Sequence, residues 1–222
     1  MDEAAWSQDL LTAMINADRS GAAVIIEDAL IAGIDPTQVI SKILDPAIMK
    51  LGQLWEGESL SLAQTFVASK IAEDALIRCL PEGGANQGHK GSVVIGNIED
   101  DFHSLGRRTL GLFLQATGWE VHDLGNDVLA EDFLEKALEV DAHVIGVSAM
   151  MQSTAFNIRN LRELIDARGL SNKIMLAVGG AVFNYRPELV SEVGGDGTAR
   201  NAAEADDLFM RLQSKAQKME AS

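Results

Sequence analysis

Cysteine is all but missing from this chain: of 222 residues only Cys79 carries a thiol. An intramolecular disulfide is thereby excluded. Without the Cys or His neighbours of a zinc-site spacing, Cys79 reads as a small buried side chain at a helix end, in a reducing cytoplasm. Basic residues are scarce too, 18 Lys and Arg against 33 Asp and Glu, for a formal charge of −15. Such a balance repels phosphate backbones and anionic lipid, because binding to either relies on clustered cations. Nucleic acid and membrane surfaces are therefore not expected as partners. Long apolar runs are absent as well: none approaches the roughly 20 residues that span a bilayer. The opening MDEAAWSQDL is acidic rather than basic and precedes no long apolar core, unlike an export signal.

What remains is an ordinary folded composition, 47% hydrophobic and 23% charged, long enough for one large domain or two small ones. The two halves have different rhythms. From Ala4 to about Leu80 no β-branched run stands out, and apolar residues recur at helical spacing, as in Val24, Ile25, Ala29, Leu30 and in Val39, Ile40, Ile43, Leu44. A bundle of four or five helices is predicted. Asp35-Pro36 and Asp45-Pro46 each place a capping carboxylate before a proline suited to a first helical turn, and Ser61-x-x-Gln64 resembles a capping box. The stretch PEGGANQGHKG, residues 81–91, is Gly-rich and polar without apolar periodicity, which predicts a linker between a domain over 1–80 and another over 92–222.

Beyond the linker, short apolar runs alternate with helical stretches. Strands are predicted at 92–96, 120–124, 143–148 and 174–178, with a last short one near 197–199. Helices are predicted near 105–117, 130–139, 154–168 and 187–192, and from about 202 onward. Strands separated by single helices need right-handed crossovers, hence a five-stranded parallel sheet covered on both faces. Ligands of such a sheet sit beyond the carboxyl ends of its strands.

The loop after the first strand reads Asn97-Ile98-Glu99-Asp100-Asp101-Phe102-His103-Ser104-Leu105-Gly106. It has no G-x-G-x-x-G and makes a poor pyrophosphate cradle. Instead it presents a carboxylate and an imidazole, then a glycine that lets the chain turn closely into a helix. Ser148-Ala149-Met150-Met151-Gln152-Ser153-Thr154 follows the third strand, and Gly179-Gly180-Ala181 the fourth. Asp101-x-His103-x-x-Gly106, then Ser148-x-Met150, then Gly179-Gly180, resembles the D-x-H-x-x-G, S-x-L, G-G signature of cobalamin-binding domains. These domains occur in methionine synthase, corrinoid methyl carriers and some carbon-skeleton mutases. Met150 stands where the family usually has Leu, a near-isosteric apolar exchange. Independently, Gly52-Gln53-Leu54-Trp55-Glu56-Gly57-Glu58 is similar to the V-G-x-x-F-x-x-G-E stretch of the helical cap that precedes that domain.

The resemblance implies a Rossmann-like (flavodoxin-like) domain behind a helical cap, carrying cobalamin or a related corrinoid. It implies that His103 is the lower axial ligand of the cobalt, replacing the cofactor's own base, whose nucleotide tail enters a slot in the protein. Asp101 would hold the second imidazole nitrogen, as carboxylates do behind metal-bound histidines. Thr154 would complete a proton relay with it; a helix N-cap is its ordinary alternative. Gly106, Gly179 and Gly180 would leave room for the tail, turn geometry being the alternative, and Ser148 would donate to it. Phe102, Ser104, Leu105, Met150, Gln152 and Ala181 complete the expected cofactor contacts. In the cap, Trp55 and Leu62 align with residues over the upper corrin face, with Thr65 nearby. His89, His122 and His143 have no such surroundings.

By the same resemblance the chain is a non-autonomous subunit that carries a methyl group between separate donor and acceptor methyltransferases, with a reductive activase as a further partner. The cap would swing aside when they dock. Two other readings stay open. Light-responsive cobalamin regulators share both domains, but their caps carry a Glu-His pair where Trp55 here leads to Thr65-Phe66, and no basic DNA-binding segment precedes it. Mutase small subunits lack the cap.

Overall fold

The structure is a computed structural model that describes residues 2–57, 59–79, 89–200 and 202–220. The chain divides into two compact units, Met1–Gly83 and Gly84–Ser222. Of the segment expected to be a linker, residues 81–88 lie outside the described residues. Among the described residues no helix is long and apolar enough to cross a membrane.

The first unit is helical: α1 (Glu3–Ile15), α2 (Arg19–Ile31), α3 (Pro36–Val39), α4 (Asp45–Glu56) and α5 (Leu62–Arg78). Asp2, Asp18 and Asp35 cap the first three by accepting the N–H of Ala4, Gly21 and Thr37. Ser61 and Gln64 form the full capping box at α5. The other aspartate–proline pair stands in the first turn of α4, as the sequence suggested for the proline, but Asp45 does not cap the helix. Ile40–Leu44 forms a π-helical turn that joins α3 to α4 without a break, and the Asp45 N–H donates to the Ile40 carbonyl. Proline has no N–H to give, and the widened turn shifts the hydrogen-bond ladder so that the helix passes through Pro46. Burial pushes the Asp45 carboxyl above its ordinary pKa. Leu10 and Met14 of α1, Ile26 of α2, Ile43 of the π turn and Ala68 and Ala72 of α5 are fully buried. Cys79 caps the end of α5, and burial pushes its thiol pKa up to about 12.

The second unit is a parallel sheet of four strands, β1 (Gly91–Asn97), β2 (Trp119–Asp123), β3 (Val144–Ser148) and β4 (Met175–Gly179), in the order β2-β1-β3-β4. The crossovers are α6 (Ser104–Ala116), α7 (Ala130–Glu139), and the pair α8 (Gln152–Ala155) and α9 (Ile158–Ala167). After β4 come α10 (Ala181–Tyr185), α11 (Leu189–Glu192), a 3₁₀ turn (Ala202–Glu204) and α12 (Ala205–Glu220). Phe133 and Leu134 of α7 with Ile158, Leu161 and Ile165 of α9 build one core against the sheet. Leu114 of α6 with Phe209 and Leu212 of α12 build the other. The fifth strand anticipated near 197–199 shrinks to one parallel bridge between Gly197 and Ala177. Its lead-in, Gly194-Gly195-Asp196-Gly197, has little β propensity.

The start of β1 is pinned to α12. Lys90 Nζ lies 2.8 Å from both Asp206 oxygens, and Trp119 Nε1 donates to Oδ1 at 2.8 Å. Burial alone would raise the Asp206 pKa, but these donors outweigh it and hold the carboxyl below its ordinary value. The resulting stabilisation is full above the ordinary carboxylate range and is lost as pH falls through the lowered value in the fold. Asp206→Asn is expected to lower the melting temperature at neutral pH by about 2–4 °C, a shift typical of a ~1 kcal/mol loss in a chain of this size. Variant and native proteins should converge in acid; a melting difference that stayed constant from neutral to strongly acidic pH would count against this assignment.

Candidate functional site

Three strand ends lie level at one edge of the sheet, since Asn97 faces Ser148 and Ser148 faces Gly179 in the parallel register. The loop from β1 to α6 carries Asp101 and His103, the loop from β3 to α8 carries Met150 and Met151, and β4 runs directly into Gly180 and α10.

Asp101 ties the first two loops together. It is completely buried. Its Oδ1 accepts from the Asn97 amide and from the His103 backbone N–H, both at 2.9 Å, and lies 3.2 Å from His103 Nδ1. Its Oδ2 accepts from the Met150 N–H at 2.7 Å and from the Thr154 hydroxyl at 2.9 Å. Burial raises a carboxyl pKa, yet here the donors outweigh it and hold Asp101 below its ordinary value. Facing an ionised acceptor, a neutral His103 carries its proton on Nδ1 and keeps the lone pair on Nε2. The imidazole is 51% exposed, so an outside ligand has access to the ring.

Thr154 is buried and sits inside α8, whose N-cap position is Met151, so it is not the cap that its place after a strand suggested. Its hydroxyl also lies 3.0 Å from the Met151 carbonyl; the single proton favours the charged acceptor, Asp101. The His103 loop is braced from a third side. Asp100 takes a left-handed φ of 67° and donates its N–H to Asp127 Oδ1 at 2.8 Å, while the Asp127 N–H donates to the Asp101 carbonyl.

Phe102, Met150 and Met151 are 63%, 45% and 46% exposed, an apolar flank on the loops that carry the imidazole. Ser104 and Leu105 open α6, Gln152 opens α8, Ala181 opens α10, and half-buried Ser148 ends β3. The three glycines divide. A side chain at Gly106 or Gly179 would meet nothing within 4 Å, so these two border open space at the strand ends. At Gly180 the backbone itself requires glycine, whether or not a ligand lies beside it. Its φ is +115°, and a Cβ there would come within 2.0 Å of the Ala149 carbonyl oxygen.

On the helical unit, Trp55 lies near the end of α4 and Leu62 begins α5, 42% and 72% exposed. Thr65 spends its hydroxyl on the Ser61 carbonyl. Phe66, one turn after Leu62 and 61% exposed, extends this apolar surface and was not singled out from the sequence; its i, i+4 spacing from Leu62 was the available signal. Asn97 and Arg107 were missed as well, although a polar residue closing an otherwise apolar strand and an arginine one turn beyond His103 are both visible in the sequence. Elsewhere, His143 pairs with Glu220 and His122 approaches Glu120, each away from this edge.

Among the described residues no group of three or more His, Cys, Asp or Glu is arranged to hold a metal ion. A metal at His103 must therefore bring most of its ligands with it, as a macrocycle does. A lone imidazole, an apolar flank and two glycines bordering open space fit a large planar cofactor with a tail.

Comparison with known proteins agrees. Residues 91–206 match the B12 binding domain family, and residues 6–80 match a second family, also described as a B12 binding domain. Dimethylamine corrinoid protein 1 of Methanosarcina acetivorans is 34% identical over 201 residues, 89% of this chain and 92% of that one. The structure of the monomethylamine corrinoid protein of Methanosarcina barkeri superposes with a TM-score of 0.80 at 27% identity, covering 91% of this chain and 96% of that one. A chain of the methanol:cobalamin methyltransferase complex of M. barkeri shares the fold, with a TM-score of 0.50 at 23% identity over 95% of this chain and 84% of that one.

The glycine geometry predicts opposite effects on the ligand-free protein. Gly106→Ala, in a helix with open space, should leave the melting temperature unchanged or raise it slightly, whereas Gly180→Ala should lower it by several degrees or prevent folding. A Gly180→Ala protein that melts like the native one would refute the steric argument.

Proposed function

The chain belongs to the B12-binding corrinoid proteins of methyltransferase systems, and we propose that it carries a methyl group between two partner methyltransferases on a corrinoid held through His103. The observation that carries this reading is the half-exposed imidazole whose Nδ1 is taken by the buried, ionised Asp101. The corrinoid supplies a cobalt centre that accepts a methyl group and releases it again.

The protein's part is to bind, orient and shield. His103 would hold the cobalt through Nε2, in place of the cofactor's own base. Asp101 holds the ring orientation and keeps the Nδ1 proton, which makes the imidazole a better donor. The Thr154 hydroxyl donates a hydrogen bond to Asp101 Oδ2 and closes the line from imidazole to hydroxyl. Gly106 and Gly179 leave space for the nucleotide tail, and Ser148, Ser104 and Gln152 stand where its polar groups would be received. Phe102, Leu105, Met150 and Ala181 supply contacts to the cofactor. On the helical unit, exposed Trp55 and Leu62, with Thr65 nearby, would serve to exclude water from a methylated cofactor and would move away when an enzyme docks. The names of the similar proteins favour a methylated amine as the first donor to test.

Two measurements test this. Reconstitution with hydroxocobalamin and reduction to cobalt(II) should give a paramagnetic resonance spectrum split by one protein nitrogen, and His103→Ala should abolish the splitting. A spectrum that keeps the signature of the cofactor's own base in the native protein would overturn the ligand assignment. In the second, the protein reduced further to cobalt(I) is mixed with mono-, di- or trimethylamine or methanol and the matching methyltransferase. The absorbance of the methylated corrinoid should appear; its absence with every such enzyme would remove the carrier role. Gly106→Val should fold normally yet take up little corrinoid.

A further inference from the structure

Behind Asp101 lies a second layer of polar side chains that does not reach the ligand side of the loop. Asn97, the last residue of β1, is fully buried. Its amide nitrogen donates to Asp101 Oδ1 at 2.9 Å and to the His103 backbone carbonyl at 3.1 Å, and its amide oxygen accepts from Arg107 Nε at 2.8 Å. Arg107, buried on the first turns of α6, is held in turn by Asp123 and by Asn126, the latter at 3.3 Å from Nη2.

The polarity of this arrangement is forced. Arginine has donors only, so the amide oxygen of Asn97 must face it, and the NH₂ must face the other way. On that side a carboxylate and a carbonyl stand as acceptors only. A single buried amide thus matches a donor-only cation to two acceptors and grips both the carboxylate behind His103 and the main chain of His103 itself. The backbone of Asn97 is anchored as well, its N–H to the Gly125 carbonyl and its carbonyl to the Val128 N–H. No hydrophobic or shorter side chain reproduces these contacts.

We propose that Asn97 and Arg107 are positioning residues that hold the His103–Asp101 pair in its ligating arrangement before the cofactor arrives. This rests on the reading of His103 as the cobalt ligand. Holding the loop ready means that the histidine does not have to be ordered at the moment of binding, a cost that otherwise weakens association.

Asn97→Asp is the sharpest test. The variant keeps the shape and the Arg107 contact but turns an acceptor toward Asp101 Oδ1 and the His103 carbonyl. Loaded with cobalamin and reduced to cobalt(II), it should show a histidine-ligated fraction reduced in equilibrium by about ten- to a hundred-fold, the range known for partners behind metal-bound histidines. Paramagnetic resonance reads that fraction directly, apart from any methyl transfer. Arg107→Met leaves Asp123 and Asn126 at the surface and removes only the outer anchor of the amide; it should shift the same fraction in the same direction by less. Should Asn97→Asp fail to fold, Arg107→Met decides alone. Native-like nitrogen splitting in every folded variant would overturn the proposal while leaving His103 as the ligand, whereas a native protein without any such splitting would overturn both.

Discussion

One buried carboxylate organises the functional edge of this protein. Asp101 accepts from its own loop, through Asn97 and His103, and from the loop after β3, through Met150 and Thr154. An ion in that position is tolerable only because nearly every lone pair has a donor. The same contacts that keep it ionised fix two loops relative to each other and orient the imidazole. Folding of the edge and orientation of the imidazole are therefore one event: any change that removes a donor loosens the loop geometry and the hold on His103 together.

The sheet makes this economical. Because Asn97, Ser148 and Gly179 are level, the segments that follow them start from the same height and need only a few residues to meet. Short loops order at little entropic cost. The left-handed backbone at Asp100, answered by Asp127, shows where that shortness is absorbed, and aspartate is among the side chains that tolerate such a φ. The two faces of the sheet are covered by separate sets of helices, and the edge is rooted in one of the two cores through Ile98 and Ala149.

Much of this was legible in the sequence. Four strands fell where the apolar runs stood, and Asp101 and His103 of the motif, with Thr154 taken from the resemblance, do meet in space. Three features were not legible, each for a physical reason. Asp45-Pro46 has the form of a capped helix start, but the chain enters α4 through a π turn with Ile43 and Leu44 buried, so Pro46 keeps its place in the first turn and Asp45 does not cap it. Gly180 shares a motif with Gly179, yet one is glycine for its backbone and the other borders empty space, a difference that depends on where Ala149 lies. Asn97 and Arg107 are visible as a polar strand end and a helical arginine, but their value comes from a polarity match that exists only once strand, loop and helix are assembled.

The lone thiol acquires a meaning in this setting. Thiolates are soft nucleophiles that take up alkyl groups readily and ligate transition metals. Cys79 is buried, and with a pKa near 12 it stays protonated under any physiological condition. In a protein proposed to carry a methyl group, a thiol withdrawn in this way is one soft nucleophile that does not compete for that group.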